Sequence, residues 1–212
     1  MKGLLALAGL ALAAVSHALS FSDITNWTGT GSNEAGLVID WKDGESRAWG
    51  YRWDGSATGE DMLRAVLASD SRLYMKISTP TPYGVALFGL GYDENGGGLT
   101  LSTGEPFVNR TIEVDGYDDA DGAVATDPAD RYREGWYTGY WSYWVAEGSS
   151  PDWGYSGYGM SGRVLQNESW DGWSYDDFTG SGGAPNVATV PEPASLAGLG
   201  LGLLALARRK RA

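Results

Sequence analysis

Six aromatic side chains fall within nine residues in Trp136-Tyr137-Thr138-Gly139-Tyr140-Trp141-Ser142-Tyr143-Trp144. Successive side chains of a strand point to opposite faces, so Trp136, Tyr140 and Trp144 share one face while Tyr137, Trp141 and Tyr143 share the other. Only one face of a single sheet needs burying. The second would then offer a flat aromatic platform on which the C–H faces of sugar rings can pack while nearby polar groups bond the hydroxyls. In a two-sheet structure both faces are covered, and the same residues would be core. Trp153, Trp170 and Trp173, set among Gly, Ser and Asp, are expected to be more exposed, with Asp171 placed to orient a polar ligand. Trp136, Tyr140, Trp144, Trp153, Trp170, Asp171 and Trp173 are therefore the candidate ligand contacts.

What is missing narrows the chemistry further. The 212 residues contain no cysteine, and the one histidine, His17, precedes the expected mature N-terminus. Disulfides, Cys- or His-rich zinc sites, Ser-His-Asp or Cys-His catalysis and His- or Cys-ligated haem are thereby excluded from the mature chain. Between Leu19 and Val190 lie 10 of the 15 Lys/Arg and 26 of the 27 Asp/Glu, a formal charge of −16. A body so acidic repels nucleic acid and suits an outward-facing soluble domain. With this many carboxylates, some pair at glycosidase spacing is nearly inevitable, so their number carries little weight for hydrolysis. The expectation is a protein that is not an enzyme and has no cofactor. Asp118, Asp119 and Asp121 are the weak calcium candidates, since hard cations take several carboxylate oxygens on a flexible turn. The twelve-residue calcium-loop spacing fails there, with Tyr117 first and Pro128 twelfth, and fails again from Asp93, with Gly104 twelfth.

The elements that must position these residues are mostly strands. Gly36 to Trp41, a turn at Lys42-Asp43-Gly44-Glu45 and the alternating Arg47 to Trp53 predict a hairpin with Trp49, Tyr51 and Trp53 on one face. Thr58 followed by Gly59-Glu60-Asp61 marks a helix start, and Met62, Leu63, Val66 and Leu67 recur at helical spacing, which gives one short helix near residues 59–68. Further strands are expected at 73–77, 83–92, 107–114 and 135–145, an acidic loop at 115–134, and closing pairings at 155–165 and 169–178. The fold class is mainly β or α+β, built on an antiparallel sheet, with a jelly-roll-like β-sandwich as the alternative.

Both ends have the character of addresses. Lys2, an apolar run from Leu4 to Val15 and the small residues Ser16 and Ala18 form the three parts of a secretory signal, with cleavage after Ala18. At the other end Pro191-Glu192-Pro193 is followed by an apolar run from Leu196 to Ala207 and by Arg208-Arg209-Lys210-Arg211. The terminal cations resist translocation and leave the tripeptide at the outer face of the membrane. This tail resembles the PEP-CTERM sorting signal of Gram-negative bacteria, whose substrates are processed by exosortases. The pieces Trp49–Gly55 and Ser169–Ser174 likewise resemble uncharacterised Trp-rich ectodomains that recur among such proteins. The resemblance implies export, an inner-membrane-anchored precursor, and a final place at the cell surface, outer envelope or extracellular matrix. Signal peptidase and exosortase would be the processing partners, an exopolysaccharide a setting for a structural or adhesive role, and the membrane a partner through the C-terminal segment before processing. The expected organisation is a signal peptide over 1–18, a Trp-rich ectodomain over 19–179, a linker over 180–189 and the sorting signal over 190–212.

Overall fold

The structure is a computed structural model that describes residues 19–116, 122–180 and 182–186. The signal-cleavage residues Ser16 and Ala18, the calcium candidates Asp118, Asp119 and Asp121, and the sorting residues Pro191, Glu192, Pro193, Arg208, Arg209, Lys210 and Arg211 lie outside the described residues.

The fold is mainly β. A 3₁₀ turn (Phe21–Asp23) leads into β1 (Trp27–Gly29), β2 (Asn33–Asp40) and β3 (Ser46–Trp53), then α1 (Gly59–Ser69), β4 (Leu73–Ser78) and β5 (Leu87–Tyr92). The chain continues through β6 (Thr111–Val114), β7 (Arg131–Glu134), β8 (Tyr140–Glu147), β9 (Gly154–Tyr155) and β10 (Ser169–Asp176). Six strands form one sheet in the order β1-β3-β2-β10-β8-β9 and four form the other in the order β6-β4-β5-β7. Both sheets are mixed: β1 runs parallel to β3, β10 to β2 and β6 to β4, and the remaining pairs are antiparallel.

The two sheets and α1 enclose one core. Leu37, Ile39, Trp41 and Trp49 from the larger sheet meet Met62, Leu63 and Val66 from the helix and Met75, Ile77 and Leu90 from the smaller sheet. The helix forms as its sequence requires. The Thr58 hydroxyl accepts from the Asp61 N–H at 3.2 Å while the Asp61 carboxylate accepts from the Thr58 N–H at 2.8 Å, a reciprocal cap that satisfies two free donors. Each sheet also buries its outer face. The segment Leu19–Trp27 folds back over the larger sheet, where Leu19, Ile24, Val38 and Trp170 cluster. The long connection from β5 to β7 covers the smaller sheet with Leu99, Leu101 and Ala123, packed on Ile112 and Tyr132.

Five expected elements are redrawn, among them the strand expected over 135–145, which begins only at Tyr140 because residues 135–139 bend back so that Gly135 meets the Gly139 backbone. The strand expected over 83–92 begins only at Leu87, because residues 79–86 form a tight hairpin closed by Thr81 and Gly84. The strand expected over 107–114 shortens to Thr111–Val114, since Asn109 and Arg110 adopt positive φ (50° and 63°), which no strand accommodates. The acidic region expected to be loop over 115–134 ends in strand β7. Of the pairing expected over 155–165, only Tyr155 lies in a strand, β9, and Val164 adds an isolated bridge to Thr58.

The segment expected to be a linker is in part docked. Pro185 is buried beside Gly172 and Asn186 bonds the buried Asp40, so the folded unit reaches Asn186.

Candidate functional site

The aromatic run divides as strand geometry requires. Within β8, Trp141 and Tyr143 point into the core, and Tyr140 and Trp144 are half-buried on the opposite face. Trp136 does not belong to β8. It sits in the turn before it, where its ring meets Tyr140 edge-on at 5.5 Å and Phe88 at 5.6 Å.

Around these rings opens a cleft of about 310 Å³. Trp136, Tyr140 and Tyr155 form one side, and Tyr83 and Tyr158 stand on the rim. Trp141, Tyr143, Met160 and Trp173 are buried residues that line its inner part. Tyr83, Tyr155 and Tyr158 are 94%, 61% and 71% exposed, which is unusual for rings gathered about one depression. No Asp, Glu, Lys or Arg lines the cleft among the described residues.

Three chain segments far apart in sequence hold these rings. The hairpin carrying Tyr83 is closed by paired hydrogen bonds between Thr81 and Gly84 (3.0 and 2.9 Å) and pinned by Val85 N–H donating to Ser161 Oγ at 2.9 Å. Gly84 has φ +95°, and a Cβ there would lie 2.5 Å from that of Ser161, so glycine alone permits this turn and this approach. The segment carrying Tyr155 and Tyr158 is anchored by the Ser156 N–H on the Tyr143 carbonyl at 2.9 Å, with Ser156 Oγ donating to the Tyr158 carbonyl at 2.8 Å. Tyr155 pairs opposite Trp144, and their rings meet edge-on at 5.3 Å. The Tyr155 hydroxyl also bonds that of Tyr140. Burial first, then that neighbour, pushes the Tyr140 phenol up to about 12, so it stays a protonated donor across the physiological range.

Below the cleft lies a buried polar cluster. Tyr143, stacked on Trp173 at 4.3 Å, donates its hydroxyl to Asp171, whose second oxygen faces Arg163 Nε at 3.4 Å. Arg163 pairs outward with Glu147 at 2.7 Å. The first residue of α1, Gly59, lies so close that a Cβ would come within 2.5 Å of Asp171 Oδ2, which brings the helix N-terminus up to this carboxylate. Burial nevertheless dominates and pushes Asp171 up to about 6, with the Tyr143 hydrogen bond and the Arg163 charge pulling the other way. Burial and the Asp171 charge push the Tyr143 phenol far above its ordinary range. The cluster fixes the orientation of one ring of the cleft.

The expected contacts therefore separate. Trp136 and Tyr140 line the cleft, Trp173 lines it from the core, and Trp144 borders it through Tyr155. Trp170 and Trp173 are not exposed loop residues. Both lie in β10, a central strand covered on both faces, where Trp170 stacks on Phe21 at 4.4 Å and donates Nε1–H to the Gly148 carbonyl at 2.9 Å. Trp153 is half-buried against Gly172 and the Trp170 cluster, outside the residues that line the cleft. Asp171 is 1% exposed and bonds Tyr143 and Arg163, so it does not face solvent as a ligand-orienting group. Tyr83, Tyr155 and Tyr158 fall in segments expected to be strand, which hid them as site residues; the glycines around them were the available signal of turns that present side chains outward.

No group of His, Cys, Asp and Glu with the geometry to hold a metal ion occurs among the described residues. In the glycine-rich turn after β5, Asp93 is occupied by its own loop. Its two carboxylate oxygens accept N–H bonds from Gly96 at 2.7 Å and Gly98 at 2.7 Å, among others.

The model of the PEP-CTERM protein-sorting motif matches residues 189–211. The chain thus carries the sorting signal of an exported protein with a C-terminal membrane anchor before exosortase processing. Among the described residues no helix is long and apolar enough to cross a membrane. No curated protein and no solved structure is significantly similar to the chain.

Proposed function

We propose that this exosortase-sorted protein is a non-enzymatic surface or matrix component that adheres to an uncharged polysaccharide through the cleft of Trp136, Tyr140, Tyr155 and Tyr158. One observation carries this reading. In a body of formal charge −16, the described cleft lining is wholly uncharged, made mainly of aromatic rings, hydroxyls and small residues with Val85, Leu87 and Met160 among them.

Aromatic faces accept the C–H faces of pyranose rings, and the phenol and serine hydroxyls serve the sugar hydroxyls at the edges. A cavity of about 310 Å³ is at the small end for ligand sites, which fits one ring of a longer chain passing across the rim. An anionic glycan would gain no cation here and would meet the field of the surrounding acids. The described lining also offers no carboxylate pair of the kind glycosidases use, which favours binding over hydrolysis.

A glycan array probed with the mature protein tests the reading. Neutral glucan- or mannan-type chains should bind and uronic-acid chains should not, and Tyr155→Ala should lose the signal. Preference for anionic chains, or a signal untouched by Tyr155→Ala, would defeat it.

A further inference from the structure

The docked segment before the sorting motif has a geometric consequence at the membrane. Asn186 donates both its backbone N–H and its side-chain Nδ2–H to Asp40 Oδ2, each at 2.8 Å, and its carbonyl accepts from Ser46 Oγ at 3.2 Å. Lys42 Nζ donates to the Ala184 carbonyl at 2.8 Å and pairs with Asp40 at 3.0 Å. Asp40 is itself 1% exposed. The segment is therefore a built strap on the end of the larger sheet where β2 turns into β3.

Only Val187, Ala188, Thr189 and Val190 separate this strap from Pro191. Five peptide steps reach at most ~18 Å at full extension. With the sorting motif at the membrane, the Asp40 end of the domain must then stand within that distance of it.

We propose that, in the anchored precursor, the strap holds the domain with its β2–β3 turn against the lipid surface and the opposite end of β2 directed away. The cations of this end are all paired. Lys42, Arg47 and Arg131 gather here and pair with Asp40, Asp43, Glu45 and Glu94. Asp93, Asp127 and Asp130 stand beside Glu94 and leave a net negative charge at this end, so the orientation rests on the strap and its short tether and not on attraction to anionic lipid. The inference rests on the sorting motif and is independent of the glycan reading.

Because the chain has no cysteine, single labelling sites are clean. Glu45→Cys marks the β2–β3 turn. Ser56→Cys, just beyond the end of β3 that pairs with Asn33, marks the other end, ~23 Å away along an eight-residue strand. A lipid-reactive photo-crosslinker is attached to each in full-length precursor, kept unprocessed in membranes from cells lacking exosortase. Glu45→Cys should label lipid several-fold more than Ser56→Cys, and ten Gly/Ser residues inserted after Asn186 should erase that difference. Native tryptophan emission confirms folding in each variant. Equal labelling at the two sites, labelling at neither, or a difference that survives the insertion would overturn the proposal.

Discussion

Replacing Asp171 by Asn should change how stability depends on pH, with a sign opposite to that of most carboxylates. Asp171 is fully buried between Tyr143, Arg163 and the start of α1, and burial raises it from 3.8 to about 6 in the folded protein. A carboxyl raised on folding binds its proton more tightly in the native state. Its contribution to stability is then complete below the unfolded value near 3.8 and is lost as pH rises through about 6. The gap of about two pH units corresponds to about 3 kcal/mol, most of which lies between pH 8 and pH 4. Other acids also titrate in that interval, but they are common to both proteins. The difference between wild-type and Asp171→Asn unfolding free energies, from urea melts at a series of pH values, therefore isolates this group. Wild type should gain on the variant by about 2–3 kcal/mol as pH falls from 8 to 4. A flat difference curve would show that Asp171 is solvated or compensated, and a wild-type gain toward high pH would show that the Arg163 pair dominates. Either result refutes the account of the cluster below the cleft.

Other substitutions probe other parts of the account. Trp170→Ala should cost about 3–5 kcal/mol in denaturant unfolding, as for a fully buried ring, whereas Tyr83→Ala should stay within about 0.5 kcal/mol and act on ligand binding alone. Gly84→Ala should destabilise by about 1–3 kcal/mol, measured by thermal melting, because both its positive φ and its approach to Ser161 forbid a Cβ. Lys76 is 1% exposed and faces Glu134 at 3.3 Å and Glu105 at 3.0 Å; Lys76→Met should cost about 3–5 kcal/mol, and adding Glu134→Gln should recover part of it. Tyr140 should show no phenolate absorbance until pH approaches 12, later than the exposed tyrosines.

The local parts of this fold follow from short-range signals. The capping residues Thr58 and Asp61 mark the start of α1, and the alternation around Trp49 gives the β2–β3 hairpin and its buried face. The split of the aromatic run across two faces of β8 follows from the two-residue period of a strand. What periodicity could not show is which faces get covered. Trp170 and Trp173 look exposed from their Gly, Ser and Asp neighbours, yet those small residues are what let a central strand pack closely on both sides. Gly172 makes room for Trp153 and Pro185, and Gly36 makes room for the Trp170 ring. The parallel pairs β1–β3 and β2–β10 depend on chain crossings with no local trace. The cleft joins rings from residues 83, 136–140 and 155–158, a meeting that only the tertiary fold creates. The calcium-loop spacing already failed from Asp93, and its carboxylate is taken by its own loop amides.

The central claim is that the aromatic cleft, uncharged among its described residues, holds a neutral glycan. Titration calorimetry of the mature protein with a neutral oligosaccharide drawn from the array, run beside Trp136→Ala, tests it most directly. The account predicts saturable binding by wild type and a loss of about 2 kcal/mol in the variant, roughly thirtyfold in affinity, with the variant still folded at the temperature of the titration. Equal affinity in the two proteins would place the ligand elsewhere and contradict the claim.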